Sequence, residues 1–332
     1  MKKLVCTGAL GLVGSEAVKY YLNDAWEVHG VDNDMRKHFF GKEASVVKNK
    51  IDHSNYHHYG IDISKIEGLI ELEKPDVIIH AAAQPSHDYS ATNPLLDFGI
   101  NAYSTLMLLE MVRKHCPESV FVYLSTNKVY GDWPNHMEYE ELETRYEPKE
   151  CSMVRNGISE SFPIDRCTHS PFGVSKLAGD LYVQEYAHYF GLKTGIFRCG
   201  CITGAAHAGA ELHGFLSYMV RCKKENRSYK VYGYKGKQVR DNMHASDLVR
   251  AIAHFVKNPR PGEVYNMGGG RHCNISVLEA LNWLNMSDWE YVDEPRKGDH
   301  QWYISDVSKF KSHYPEWDYK YNLWAIFEDL MQ

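Results

Sequence analysis

Cys-x-x-Cys pairs are missing from this chain, although it has eight cysteines in 332 residues, at positions 6, 116, 151, 167, 199, 201, 222 and 273. Scattered thiols in a chain this long predict reduced side chains, not a disulfide framework. No run of 18 apolar residues exists, so no membrane span is expected. The N-terminus, Met1-Lys2-Lys3-Leu4-Val5-Cys6, lacks the apolar stretch and small-residue cleavage site of a secretory leader. A cytoplasmic location is expected. A basic excess is also missing: 37 Lys and Arg stand against 43 Asp and Glu, a net charge of -6. That balance argues against a nucleic-acid or anionic-membrane partner. Low-complexity tracts and fixed-period repeats are absent too. What is present is 44% hydrophobic and 24% charged residues, ordinary for a globular protein with a sizeable core.

Short apolar runs alternate with helical stretches over the first 130 residues. Lys3 to Thr7, Trp26 to Val31, Asp76 to His80 and Ser119 to Leu124 read as strands. Gly14 to Leu22 and Leu95 to His115 read as helices between them. This alternation predicts an α/β fold, a doubly wound parallel sheet of Rossmann type. A loop-like stretch from about Asp132 to Ser170 follows, then a helix over Gly173 to Phe190. The pattern turns irregular after Arg198, and Glu263 to Met267 again reads as a sheet strand. The expected division is discontinuous. Residues 1–198 plus about 237–268 form the larger domain, and about 199–236 plus 269–332 form a smaller substrate-binding one.

Gly8, Gly11 and Gly14 have GxxGxxG spacing, with Leu12 and Val13 between them, at the junction of the first strand and first helix. Such glycines allow close backbone approach to a pyrophosphate, and the helix N-terminus offers free N–H groups. Alone the motif is weak. Asp32, ending the second strand 18 residues after Gly14, strengthens it. An acidic side chain there bonds ribose hydroxyls and repels a 2′-phosphate, which favours NAD over NADP. Arg36 is read as packing near adenine.

Further segments then appear in order: Asp32-Asn33, Asp62-Ile63, His80-Ala81-Ala82-Ala83-Gln84, Asn101, Ser125-Thr126-Asn127-Lys128-Val129-Tyr130-Gly131 and Ser175-Lys176. Gln238-Val239-Arg240-Asp241, Asn266-Met267-Gly268-Gly269 and Arg296-Lys297-Gly298-Asp299 complete the series. With these the chain resembles the extended short-chain dehydrogenase/reductases of the nucleotide-sugar epimerase and dehydratase group. Ser125 to Asp132, Glu143-Thr144-Arg145-Tyr146, Asn156 to Ser161, His169-Ser170-Pro171 and Gly236 to Asp241 carry a finer resemblance, to the CDP-tyvelose (CDP-paratose) 2-epimerases. The resemblance implies NAD contacts from Gly8, Gly11, Leu12, Val13, Gly14, Asp32, Asn33, Arg36, Asp62, Ile63, Ala81, Ala82, Gln84, Asn101 and Lys176. It implies nucleotide-sugar contacts from Gln84, Thr126, Asn127, Lys128, Cys199, Cys201, His213, Arg240 and Arg296. It further implies a homodimer or homotetramer, paired through the helices after Leu95 and around Phe172 to Tyr189. The apolar face Leu106, Leu109 and Val112 is expected in that contact.

Two departures matter. The family's Tyr-x-x-x-Lys reads Phe172-Gly173-Val174-Ser175-Lys176, so the acid–base oxygen is gone while the i, i+4 spacing survives. Loss of such a group costs about 10²–10⁴ in rate, so an impaired enzyme is expected. An engineered substitution is the preferred explanation, because the other signatures are intact. Natural loss of activity, or a proton supplied by another group such as Tyr130, stays open. Second, the related 4,6-dehydratases carry Asp-Glu after the threonine. Asn127-Lys128 cannot supply that carboxylate base, which disfavours dehydration. A UDP-sugar 4-epimerase and a non-catalytic NAD-binding protein remain alternatives. No metal is expected: Cys199 and Cys201 have no second pair, and His53, His57 and His58 read as a solvated loop.

Overall fold

A computed structural model describes residues 1–149, 154–207, 209–211, 213–296 and 298–332. Cys151 and Lys297, both named above, lie outside the described residues.

Seven parallel strands form the main sheet: β1 (Lys3–Thr7), β2 (Glu27–Val31), β3 (Tyr56–Tyr59), β4 (Val77–His80), β5 (Val120–Thr126), β6 (Lys193–Cys199) and β7 (Glu263–Met267). Their order is β7-β6-β5-β4-β1-β2-β3. All seven run the same way, so the C-terminal strand ends share one edge. That edge is where ligands sit in such sheets. Each of β1, β2, β4 and β5 is an almost wholly buried run, as a sheet covered on both faces requires.

Four long helices supply most of the cover: α1 (Leu12–Asn23), α2 (Pro94–His115), α3 (Pro171–Phe190) and α4 (Ala245–Lys257). On one face Ala17, Val18 and Tyr21 of α1 meet Leu248, Val249 and Ile252 of α4 over the sheet. On the other, Leu108, Leu109 and Val112 of α2 pack with Val183 and Tyr186 of α3. Each such side chain contributes about 1.5–3 kcal/mol when fully buried. The face of α2 expected at a subunit contact is therefore partly spent inside the domain, since Leu109 and Val112 have no exposure. The apolar side chains that α2 and α3 leave outside are Leu95, Leu96, Phe98, Tyr103, Val174, Leu181, Tyr182, Tyr189 and Phe190. By length and hydropathy α2 is apolar enough to cross a bilayer, but half of it is buried in the core.

Local chemistry fixes α3, which carries two site residues. Ser170 caps it by accepting the Gly173 N–H, Pro171 occupies the first turn, and Gly191 ends it at φ +73°.

The second unit is built on a separate sheet. Val239–His244 is its central strand, beside Cys201–Thr203, Asn274–Ser276 and Trp302–Tyr303. The following α4 does return to the main sheet. Tyr229–Tyr232 pairs with Trp289–Val292, and Leu216, Met219, Ile275, Leu281 and Phe327 form the local core. The long loop contains a hairpin, Tyr139–Glu141 with Tyr146–Pro148. It also ties the two sheets: Ile158 donates to Ile304, and Glu160 accepts the Asn266 N–H at 2.7 Å. His57 and His58 sit on the edge strand β3, not in a loop, because β2 offers them a partner.

Candidate active site

A cavity of about 710 Å³ runs along the C-terminal strand ends, between the main sheet and the second unit. The glycine turn forms one end. A Cβ at Gly14 would lie 2.0 Å from the Gly8 carbonyl oxygen, and Gly8 itself sits at φ +69° against the Ala81–Ala82 backbone. Only glycines permit this turn, and it leaves backbone facing the cavity. Asp32 stands at the end of β2, accepting the Leu10 and Asp34 N–H groups at 2.9 and 2.8 Å. Burial raises its pKa against those two bonds. Arg36 stacks on Phe40 and reaches His213 Nδ1 at 3.3 Å, and burial lowers it to about 10. Asp62 accepts from Asn33 and from Ser64. These residues fit a dinucleotide: a bare turn for a pyrophosphate, and an acidic group for ribose hydroxyls.

Gly11, Leu12, Val13, Asn33, Ile63, Ala81 and Ala82 line the same cavity. Gln84 and Asn101 do not line it. The Gln84 amide is consumed by Ser86 and Asp97, and Asn101 binds Gln84, Asp97 and Ser175. Both are almost fully buried. They brace the start of α2 against α3 behind the cavity wall.

In the middle of the cavity Thr126, at the end of β5, faces Cys199, its register partner on β6. Phe172 and Lys176 reach the cavity from one face of α3. Lys176 donates to the Leu124 carbonyl at 2.6 Å and lies 4.2 Å over the Tyr123 ring. Burial lowers its pKa to about 8. Burial raises the thiols of Cys199 and Cys201 to about 12, so they stay protonated.

At the far end Arg240 pairs with Asp299 at 2.5 Å, and Arg296 with Asp88 at 3.2 Å. Lys128 donates to the Gly298 carbonyl at 2.9 Å, and burial lowers it to about 8. Asn127 and His213 complete this end. Sequence reasoning missed His87, Tyr103, Tyr229 and Tyr232, which also line the cavity. The one available signal was Ser86, a helix N-cap that places His87 at the first helical position.

Tyr130 is excluded as a proton source: it lines no part of the cavity, has no exposure, and donates to Asn266 at 2.7 Å. Away from the cavity, one group of metal-type ligands occurs among the described residues, Glu27, His29 and Glu73. The Lys3 ammonium already sits 2.6 Å from Glu73 there.

The fold and cavity together define a dinucleotide-binding α/β protein with a second, adjoining ligand compartment. The chain belongs to the NAD dependent epimerase/dehydratase family, whose model matches residues 4–268. It is 32% identical over 326 residues to a CDP-paratose 2-epimerase of Salmonella typhi, covering 92% of each chain. It is 26% identical over 315 residues to a putative UDP-glucose 4-epimerase of Methanocaldococcus jannaschii, covering 93% and 91%. The fold matches a UDP-glucose 4-epimerase of Thermotoga maritima at TM-score 0.79 and 23% identity, over 99% and 97% of the two chains. The cofactor is NAD.

Proposed function

We propose that this protein epimerises a nucleotide-activated hexose, inverting C2 of a CDP-hexose such as CDP-paratose through a transient 2-keto sugar. The observation that carries the reading is the wall beyond Thr126. It presents Asn127 and Lys128 where elimination of water would need carboxylates. The relative of 32% identity supports the same choice.

Bound NAD supplies reversible hydride acceptance. Gly8 to Gly14 and Asp32 would hold its two halves. Lys176, whose ammonium is already fixed, would hold the nicotinamide ribose and add positive charge beside the reacting hydroxyl. Thr126 would bond the sugar oxygen. Arg240, Arg296 and Lys128 would hold the diphosphate, for which a planar, permanently charged Arg fork is well suited. Cys199, Cys201 and His213 would flank the sugar and nucleotide. We further propose a homo-oligomer built on the exposed apolar side chains of α2 and α3.

The test is product analysis by NMR with CDP-paratose, CDP-glucose and UDP-glucose, for this chain and for Phe172→Tyr. Inversion at C2 without net NAD consumption is expected. In deuterium oxide the C2 hydrogen is retained, because it travels as hydride and never meets water. Deuterium at C2 would indicate deprotonation beside a carbonyl and refute the hydride route. Inversion at C4 of UDP-glucose would select the 4-epimerase reading. NAD binding with no turnover by either protein would select a binding protein, the reading that Phe172 favours.

A further inference from the structure

We propose that His87 carries the hydroxyl proton in place of the oxygen that Phe172 lacks. This rests on the epimerase reading above. His87 meets the Phe172 ring edge-on, with ring centroids 4.9 Å apart and planes at 61°. Its Nδ1 lies 2.8 Å from the Ser170 hydroxyl. That hydroxyl also caps α3 by accepting the Gly173 N–H. The imidazole is therefore fixed by the N-terminus of the same helix that presents Phe172 and Lys176. Its ring lines the cavity, and among the described residues Nε2 makes no hydrogen bond. A base oriented through one nitrogen, with the other facing a cavity, has the layout of an acid–base group.

Four other groups of the cavity are committed elsewhere or hold their protons. Lys176 is tied to Leu124, Lys128 to Gly298, and the Cys199 and Cys201 thiols are poor proton acceptors. The groups facing His87 are Lys128, Arg296, Asp299 and His213, with Asp88 next to it on its own helix. Burial, Lys128 and Arg296 hold the imidazole down to about 3, against Asp299, so it is neutral and able to accept at neutral pH. A diphosphate beside the two cations would offset their charge and raise its basicity.

The chemistry closes. In the first half the sugar O–H bond breaks and its proton passes to Nε2. Bound NAD would supply acceptance of the C–H electron pair as hydride, so that the C=O bond could form. In the second half that hydride would return to the opposite face of the carbonyl, and Nε2 would return the proton to oxygen.

The experiment compares the parent chain, His87→Asn, Phe172→Tyr and the double variant, all NAD-loaded, with CDP-paratose. Turnover by the parent chain is expected, with kcat falling about 10²–10⁴-fold in His87→Asn. The acidic limb of the pH–rate profile should vanish with it, and Phe172→Tyr in the same chain should restore turnover. A separate readout is ¹⁵N-histidine NMR of the NAD-loaded protein. The His87 resonance, assigned by its loss in His87→Asn, should titrate at higher pH after CDP is added. Unchanged kcat and pH profile in His87→Asn overturn the proposal, as does a His87 titration that CDP leaves unmoved. Activity only in Phe172→Tyr also overturns it while upholding the epimerase reading. Inactivity of both the parent chain and Phe172→Tyr overturns the reading, and the proposal with it.

Discussion

Arg240 and Asp299 form an ion pair at 2.5 Å in the wall of the cavity, beside the residues proposed to hold a diphosphate. The Arg240 charge, with Lys128 and Arg296, holds the Asp299 carboxyl far below the usual carboxylate range despite burial. The pair orients the guanidinium before ligand arrives, at the cost of competing with it.

Removing Asp299 separates those two effects. Asp299→Ala leaves the Arg240 charge buried and uncompensated, which costs about 3–5 kcal/mol. Thermal unfolding without ligand should show that loss, and added CDP should recover a larger part of it than in the parent protein. The depressed carboxyl also sets a sign. Its stabilisation is present at pH values above the ordinary Asp pKa and is lost as pH falls toward its own folded-state value. The parent should lose stability on acidification more steeply than Asp299→Asn, measured by urea unfolding between pH 6 and 3.

Asp32→Ala should weaken NAD binding by about 1.5–3 kcal/mol, the value of a hydrogen bond to a charged group. It should weaken NADP binding less or not at all. Isothermal calorimetry giving NADP equal or tighter affinity for the parent protein would count against the assignment of Asp32.

Lys176 makes the opposite trade. A lysine lowered from its ordinary value to about 8 by burial binds fewer protons folded than unfolded between about pH 8 and 10.4. Stability from this group therefore rises with pH through that window, and below it the full cost is present. Lys176→Met should raise the stability of the ligand-free protein at pH 7 by up to about 3 kcal/mol and flatten the rise, while lowering NAD affinity and turnover. A destabilised Lys176→Met would show that the bond to Leu124 outweighs the burial cost.

For the subunit contact, Leu95→Glu and Tyr182→Glu are the informative changes. Both side chains are exposed, Leu95 at 89%, so neither change should unfold the chain. Sedimentation should show the parent as an oligomer at micromolar concentration and the double variant as a monomer. A monomeric parent would dispose of the contact.

Much of the main sheet could be read from sequence because its strands are continuous apolar runs and its glycine turn has fixed spacing. Glu263–Met267 was recovered in full, and Lys3–Thr7 likewise. The second sheet was less legible. Val239–His244 has only Val239 and Met243 as apolar residues, yet all of it is buried, because Arg240, Asp241 and Asn242 find ionic or hydrogen-bond partners that no periodicity reveals. The site shows the same limit. Motif residues point to the cavity from the chain's own spacing, but spacing does not show that the Gln84 side chain meets Asp97, 13 positions on, or that its backbone N–H meets Asn101, 17 positions on. His87 was invisible for the converse reason, since its meaning depends on a ring 85 residues away.

The cavity wall draws on residues from Gly8 to Asp299. Such separation means that the binding surface is assembled from contacts of long sequence range, which form late and slowly. A chain emerging from the ribosome would expose its glycine turn early, yet have no opposite wall until almost the last segment had been made. Ligand therefore stabilises the completed molecule by mass action and offers little protection to any N-terminal fragment of it.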